Sequence, residues 1–191
     1  GITNMKNIKS IAFGCCLCFV ALGIPGKYAH AVLFGVDDIS DQLLSINTTT
    51  GAATAVGALG FGRVLGLAFN SSGTLFGVDE TTDQLLTINT ITGAATAVGS
   101  VGFSNVQGLA FSSSGTLFGV DNATDNLLTI NTTTGAGTVV GPHGFPVVSG
   151  LAFDSSGTLF GSDFSVDQLL TINTTTGAGT TVGPLGFGNL R

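Results

Sequence analysis

Short apolar segments alternate with polar turns along most of the chain. In one representative stretch, the apolar segments span residues 108–111, 116–121, 127–131 and 137–141. Runs of four to six residues between turns rich in Gly, Asn, Ser and Thr are typical of β-strands. The pattern therefore predicts four short strands, which we call A, B, C and D, and it predicts no helix in this part of the chain.

The four-strand pattern repeats at a constant spacing of 42 positions. The string Leu-Phe-Gly-(Val or Ser)-Asp opens strand B at Leu33, Leu75, Leu117 and Leu159 without any insertion. The second and third copies are identical at 30 of 42 positions, so the repeat extends over the whole unit. A period of 40 to 45 residues with four strands is typical of a β-propeller blade. We therefore predict an all-β propeller of about four antiparallel blades over residues 32–191.

The phase of the repeat bears on how complete the ring is. The first copy begins at strand B, and the last ends just before the next strand A would start, which gives 15 predicted strands. An uncapped repeat array exposes a sheet edge and an apolar blade face. We therefore expect a fragment of a larger ring, and we expect this chain to self-associate through open propeller edges.

Two stretches carry a resemblance to a known group of proteins. They are G-L-A-F-x-S-S-G-T-L-F-G-V-D and L-L-T-I-N-T-T-T-G-A, and their copies cover essentially all of residues 32–191. The sequence resembles secreted bacterial repeat propellers of the YVTN/NHL-like kind. That resemblance implies an architecture rather than an activity. Propellers of the WD type are less similar, because the chain contains no Trp.

Residues 1–31 have a different composition from the rest. A short basic start at residues 5–9 precedes an apolar run at residues 11–24, and Ala29-His30-Ala31 follows. This order is that of a secretory signal peptide, and the apolar run is shorter than the roughly 20 residues of a membrane span. We therefore predict cleavage after Ala31, no membrane span in the mature chain, and a location in the periplasm, at the cell surface or outside the cell.

The composition of the chain after Ala31 limits the kinds of partner and reaction that its side chains can support. This part contains two cations against eleven acids, a net charge of −9, which disfavours nucleic acid as a partner. It also contains one His, one Glu and no Lys or Cys. Acid–base catalysis, activated nucleophiles and zinc sites draw on those residue types. We therefore predict no enzymatic activity, no metal site and no cofactor.

Comparison of the copies separates constant turns from variable ones. The A–B turn and the C–D turn barely change, whereas the B–C turn and the D–A loop do. In an antiparallel meander the two variable connections lie at the same end of the strands, and loops on a rigid scaffold commonly carry binding. The alternative is that nothing constrains these positions. The candidate binding residues are Asp38, Glu80, Asn122 and Phe164 in the B–C turns, and Arg63, Asn105 and His143 in the D–A loops.

Two further features recur in every blade. An Asp-x3-Asp pair flanks each B–C turn, as at Asp121 and Asp125. The pair caps the turn or contributes to a calcium site, although two side chains supply few of the six to eight oxygens that calcium takes. Phe residues recur in strands A and B and in the D–A loop, where we expect inter-blade core or, for the loop set, a platform for sugars. We expect Phe111 to be buried between blades and Asp121 to lie in a solvated turn.

These observations favour an exported, non-catalytic binding module for a protein or glycan ligand. Two alternatives remain open. One is a lyase- or lactonase-like propeller enzyme whose catalytic blades lie beyond this chain, and the other is a structural component of a surface layer or matrix.

Overall fold

The computed structural model describes residues 32–186 and the backbone of Cys18–Val20, and all regular structure in these residues is β-strand. No helix that could cross a membrane occurs in them.

The strands of blade 1 are β1 (Cys18–Val20), β2 (Val32–Asp37), β3 (Gln42–Ile46) and β4 (Ala53–Ala58). Those of blade 2 are β5 (Val64–Phe69), β6 (Leu75–Asp79), β7 (Gln84–Ile88) and β8 (Ala95–Ser100). Those of blade 3 are β9 (Val106–Phe111), β10 (Leu117–Asp121), β11 (Asn126–Ile130) and β12 (Gly137–Pro142). Those of blade 4 are β13 (Val148–Phe153), β14 (Leu159–Asp163), β15 (Gln168–Ile172) and β16 (Gly179–Pro184).

Each blade is an antiparallel meander in which the four strands pair in chain order. The register repeats from blade to blade: Leu75 lies opposite Ile88, and Leu117 lies opposite Ile130. Strands C and D carry the same register shift in every blade, as between Leu127 and Leu128. The prediction of an all-β propeller with four antiparallel four-stranded blades is confirmed.

The described residues form 16 strands rather than the predicted 15, because blade 1 has an innermost strand. β1 pairs with β2 and places Phe19 opposite Leu33, just as Phe69 lies opposite Leu75 in blade 2. The expectation that blade 1 has no strand A therefore does not hold for the full chain, whereas a chain cleaved after Ala31 would lack β1. The connection from β1 to β2 is longer than the A–B turns of the other blades, so the constant repeat spacing did not reveal this strand. β1 lies within the segment predicted to be a signal peptide, which stays a prediction.

The core lies between successive blades. In blade 2, Leu75 and Leu86 face blade 1, whereas Phe76 and Leu85 face blade 3. This alternation follows from the two-residue period of a strand. We call the side toward the preceding blade the back face and the side toward the following blade the forward face. Each of the three internal interfaces joins a forward face to a back face through one cluster of buried Leu, Val and Ile.

The recurrent Phe residues of strands A and B lie in these three interfaces, as predicted, except Phe160, which lies on the forward face of blade 4. The rings of Phe76 and Phe111 lie 5.5 Å apart and tilted by 58°, and the pairs Phe34–Phe69 and Phe118–Phe153 repeat the contact. Such tilted pairs add to the stabilisation that comes from burial alone. Phe111 is half-buried rather than fully buried, because its strand ends at the turn.

Glycine is required where blades approach each other most closely. A Cβ on Gly99 of β8 would lie 2.2 Å from the carbonyl oxygen of Thr134 in the C–D turn of blade 3. Gly57 and Gly141 meet the following C–D turn in the same way, at 2.1 Å. Each of these C–D turns therefore docks with its backbone directly against strand D of the preceding blade.

The innermost strands contact one another in the order β1, β5, β9 and β13. Among the described strands, no comparable contact joins blade 4 to blade 1. The forward face of blade 4 and the back face of blade 1 are therefore not covered by described residues.

Candidate binding surface

The B–C turns and the D–A loops contact each other directly, which confirms that the variable connections share one end of the blades. In blade 2, the amide of Arg63 donates to Asp79 Oδ1 at 3.0 Å. The amide of Glu80 donates to the carbonyl oxygen of Arg63 at 2.9 Å. Blade 3 repeats both bonds with Asn105, Asp121 and Asn122. The loop backbone is therefore held by one bond to the Asp carboxylate and one bond to a backbone amide, whatever side chains the loop carries.

The first Asp of each pair caps its turn. Asp121 accepts from the amides of Asn105 and Ala123 through Oδ1, and from the amide and hydroxyl of Thr124 through Oδ2. Its side chain is fully buried. The expectation of a solvated Asp121 is therefore wrong, because the incoming D–A loop covers the turn. The capping interpretation is confirmed, and both carboxylate oxygens are engaged by donors.

The outer blades use the same cap with fewer partners. Asp37, in blade 1, accepts from the Ser40 hydroxyl and the Ile39 amide, which together hold the pKa of its carboxyl below the usual value. In blade 4, Oδ1 of the buried Asp163 accepts from Ser165 and Val166, and its Oδ2 has no hydrogen-bond partner among the described residues.

The second Asp of each pair has a different role. Asp41, Asp83, Asp125 and Asp167 all adopt positive φ, between 52° and 56°. Asp and Asn tolerate this left-handed conformation better than most residues. The Asp-x3-Asp spacing therefore combines a cap with the residue that turns the chain into strand C. No group of three or more His, Cys, Asp or Glu that could hold a metal ion occurs in the described part of the chain.

The variable residues lie in neighbouring pairs, one from the loop and one from the turn. In blade 2 the pair is Arg63 and Glu80, whose side chains form an ion pair. In blade 3 it is Asn105 and Asn122, and in blade 4 it is Val147 and Phe164, which are joined by a backbone bond of 2.9 Å. The surface thus presents a charged, an amide and an apolar pair on one repeated backbone frame.

Asn122 also joins two blades. Its Nδ2 donates to the carbonyl oxygen of Val148, and its Oδ1 accepts from the amide of the same residue, both at 3.0 Å. Asn105 Oδ1 accepts from Gln107 Nε2 at 3.0 Å. The amide side chains of blade 3 are therefore partly committed to holding the structure.

In blade 1, the candidate residue Asp38 is half-buried, and its Oδ1 is enclosed without a partner from the described chain.

His143 lies beneath the surface rather than on it, with 1% of its area exposed. It occupies the position of the buried Leu59 and Val101. In each case the residue's amide donates to the second Asp of its own blade, and its carbonyl accepts from the first residue of the next strand D. His143 is therefore not part of the candidate binding surface, because it lies buried where adjacent blades meet.

The imidazole of His143 is incompletely paired. Nδ1 accepts from the amide of Phe145 at 3.3 Å, so in the neutral ring Nε2 carries the proton. Nε2 is buried and has no partner within residues 32–186. Burial lowers the pKa of His143, and the carboxylates of Asp125 and Asp163, followed by the backbone and the carboxylate of Asp121, oppose that shift only in part. The folded blade interface therefore favours the neutral imidazole.

Sequence reasoning missed two aspects of this surface. Val147 is not among the sequence candidates, although it aligns with Arg63 and Asn105 in the repeat. The pairing of loop with turn residues was also missed, because it depends on backbone bonds between positions far apart in the sequence. Phe61, Phe103 and Phe145 of the D–A loops are half-buried against the inter-blade clusters, as expected of core rather than of a sugar platform.

No protein-family profile matches the chain, and no curated protein matches its sequence. Solved structures do match. The chain is similar to a chain of the nidogen/laminin complex, with a TM-score of 0.70 and 18% identity over 91% of its residues. It is similar to a streptogramin B lyase, with a TM-score of 0.60 and 13% identity over 91%. It is also similar to an auxiliary nutrient binding protein from Bacteroides ovatus, with a TM-score of 0.62 and 12% identity over 80%.

These likenesses show the fold alone, because all three identities are low. The chain spans 65%, 55% and 39% of the length of those three chains, respectively. The comparisons and the strand topology agree that the described residues form the blades of a β-propeller.

Proposed function

We propose that this chain is an exported, non-catalytic β-propeller of the YVTN/NHL-like kind that binds a protein or glycan through its B–C turns and D–A loops. The observation that supports this most strongly is the contrast between frame and side chains. The same cap and the same backbone bonds recur in blades 2 and 3, while the side chains they carry change from an ion pair to amides. Variation on a fixed frame is typical of binding loops on a rigid scaffold.

A non-catalytic role is supported by where the reactive side chains lie. The only Glu after Ala31, Glu80, pairs with Arg63, and the only His, His143, is buried. The rival function is a lyase, and the fold likeness to a streptogramin B lyase is what favours it. We expect no turnover when the chain is incubated with a streptogramin B, and measurable turnover would favour the rival.

Export rests on the sequence that precedes Val32. Cleavage after Ala31 would leave Val32 as the first residue and would remove β1 from blade 1. Mass spectrometry of the exported protein should find Val32 at the N-terminus. An exported protein that retains residues 5–31 would contradict the proposed leader.

The binding proposal is tested with one triple variant and a matched control. The test variant combines Arg63→Ala, Asn105→Ala and Phe164→Ala. The control combines Thr49→Ala, Ile91→Ala and Thr133→Ala, which remove exposed side chains from three C–D turns. Each protein is applied to an immobilised glycan array and to an array of extracellular matrix proteins, after its melting temperature has been measured.

We expect the unsubstituted chain and the control to bind the same ligands, and we expect the test variant to lose at least tenfold in affinity. Equal binding by the two variants would remove the loop surface from consideration. Failure of all three proteins to bind either array would favour the structural surface-layer alternative.

A further inference from the structure

The two uncovered faces of the array retain the pattern of an internal blade interface. On the forward face of blade 4, Leu169 is half-buried, whereas Leu43, Leu85 and Leu127 are completely buried at the same position. Val182, on β16 of the same blade, is 56% exposed. Apolar side chains are thus kept in place on a face that no described residue covers.

The back face of blade 1 shows the complementary pattern. Leu44 and Ile46 are half-buried there, whereas the equivalent Leu86 and Ile88 of blade 2 lie in an inter-blade cluster. In the internal interfaces, a D–A loop of the preceding blade lies against the corresponding strands.

Glycine provides independent evidence for the same match. Gly57, Gly99 and Gly141 are each pressed against the C–D turn of the following blade, whereas a Cβ on Gly183 would meet no described atom within 4 Å. Gly183 is therefore shaped for a close backbone contact that it does not make with described residues. Gly51, in the C–D turn of blade 1, is equivalent to the turn glycines that make these contacts in the other blades. A Cβ on Gly51 would also meet no described atom within 4 Å.

Backbone bonds complete the correspondence. In the three internal interfaces, the carbonyl oxygens of Leu59, Val101 and His143 accept from the first amide of the next strand D. Leu185 is the fourth residue of this series, and its amide already donates to Asp167 at 2.8 Å. Its carbonyl oxygen forms no such inter-blade bond within the described residues, and Ala53 at the start of β4 is the matching unused donor position.

We propose that the forward face of blade 4 docks onto the back face of blade 1 of a second copy of this chain. Gly183 then lies against the turn of Thr50 and Gly51, Leu169 packs near Leu44, and the carbonyl of Leu185 accepts from Ala53. A second copy is the occupant because its blade 1 supplies the residue types, the glycine and the donor that each internal interface uses. Both faces are uncharged at these positions, so that no charge is buried in the contact.

One residue departs from the internal pattern. Ser162 stands where Val36, Val78 and Val120 contribute to the clusters between the other blades. A hydroxyl in place of two methyl groups weakens apolar packing at that point. The interface between copies is therefore weaker than the internal ones, and the association is reversible.

A head-to-tail contact of this kind closes into a ring or extends into a filament. Two copies would bring together eight blades, which is within the four to eight that are typical of propellers. A dimer and a longer polymer both support the interface, because each uses the same pair of faces.

The experiment uses the full 191-residue chain and two single variants, which are analysed by sedimentation velocity over a fiftyfold range of micromolar concentrations. Gly183→Val fills the space that the second copy needs and has room for its side chain within a single copy. Leu44→Glu places a charge on the opposite face. Circular dichroism and thermal unfolding of dilute samples check that each variant is folded.

We expect the unsubstituted chain to associate, and we expect each variant alone to sediment as a monomer, with association weakened at least tenfold. Mixing the two variants should restore one interface, since each keeps the face that the other lacks, and should give a 1:1 heterodimer. A wild-type chain that stays monomeric throughout this range would overturn the proposal. So would variants that associate as the wild type does, or a mixture that remains monomeric.

Discussion

The C–D turns and the B–C turns of the same blades are built alike, yet their sequences vary to very different extents. In a C–D turn, Asn131 Oδ1 accepts from the amides of Thr133 and Thr134, and Gly135 adopts positive φ. In the B–C turn of the same blade, Asp121 is the cap and Asp125 adopts positive φ. The caps therefore do not explain why one turn is constant and the other variable.

The neighbouring blade explains the difference. It approaches the C–D turn with its backbone, so that Gly135 lies against Gly99 and no side chain fits between them. The B–C turn is instead joined to the preceding D–A loop through the backbone amides of Glu80 and Asn122, so that their side chains can differ. That of Glu80 pairs with Arg63, and that of Asn122 bonds Val148 of the next blade. The constancy of the C–D turns therefore follows their backbone contact with the preceding blade, whereas the B–C turns can carry different side chains.

The largest effect should come from filling the close contact. We expect Gly99→Ala to destabilise the fold by about 3 kcal/mol, because the added Cβ would lie 2.2 Å from the carbonyl of Thr134 and must displace backbone. Gly62→Ser is the matched control in a D–A loop. A Cβ added at Gly62 would lie 3.2 Å from the Thr81 hydroxyl oxygen, a flexible side-chain atom. Ser104 occupies the same position in the next blade.

Urea unfolding of both variants measures the comparison, and the control should change by about 0.5 kcal/mol or less. A Gly99→Ala variant as stable as the Gly62→Ser control would remove backbone contact as the reason for the constant turns.

The next largest effect concerns the buried cap. We expect Asp121→Asn to destabilise the fold by about 2 kcal/mol. The Nδ2 group of the Asn would replace Oδ2, which now accepts from the Thr124 amide and hydroxyl, and Nδ2 cannot accept a hydrogen bond. The control is Asp154→Asn in an exposed A–B turn, where Asn70 already caps the equivalent turn of blade 2 through the same kind of bonds.

The denaturant midpoint of the Asp121→Asn variant should therefore be well below that of the Asp154→Asn variant. The opposite order would mean that the D–A loop does not depend on the Asp121 carboxylate, and that the turn is solvated as the sequence alone indicated.

The fold could be predicted from the sequence because its determinants are local and repeated. Strand and turn signals recur at a constant spacing at Leu33, Leu75, Leu117 and Leu159, so that each copy supports the assignment of the others. β1 was missed because its connection to β2 does not follow that spacing. The burial of Asp121 was missed because the residue that covers it, Asn105, is distant in the sequence.

The candidate surface could be predicted only in outline. Variation between copies located the correct end of the blades, since meander topology brings those loops together. It could not separate Arg63, which is exposed, from His143, which is buried, because both positions vary. Burial there depends on how blades 3 and 4 pack, which spacing within one blade does not encode.

A smaller effect is expected at His143, where the interface between blades 3 and 4 differs from the other two. Replacing it by Leu, as in Leu59, removes a buried Nε2–H that has no acceptor in the described structure and should stabilise the fold by about 1 kcal/mol at pH 7.5. The matched control is Leu59→Val, a change between apolar residues that Val101 shows to be compatible with this position.

The pH dependence of His143 has a defined sign. Its pKa is lower in the folded chain than the ordinary value of 6.5, so protonation favours the unfolded chain. The wild type therefore keeps its full stability above pH 6.5 and loses part of it as the pH falls from 6.5 through the lower folded pKa. Melting temperatures measured between pH 7.5 and 5 should show a smaller decrease for His143→Leu, and parallel curves would contradict the buried neutral imidazole.

The smallest effect on stability should come from the ion pair of blade 2, although it is the most exposed chemistry of the candidate surface. Arg63→Ala should cost about 0.5 kcal/mol or less, because the Arg63 side chain is 52% exposed and the backbone bonds to Asp79 and Glu80 do not need it. A double-mutant cycle with Glu80→Ala, measured at low and at high salt, isolates the pair. A coupling above about 1 kcal/mol would mean that the pair holds the turn in place. In that case, the variable residues would belong to the frame, and the contrast between frame and side chains that supports a binding role would be lost.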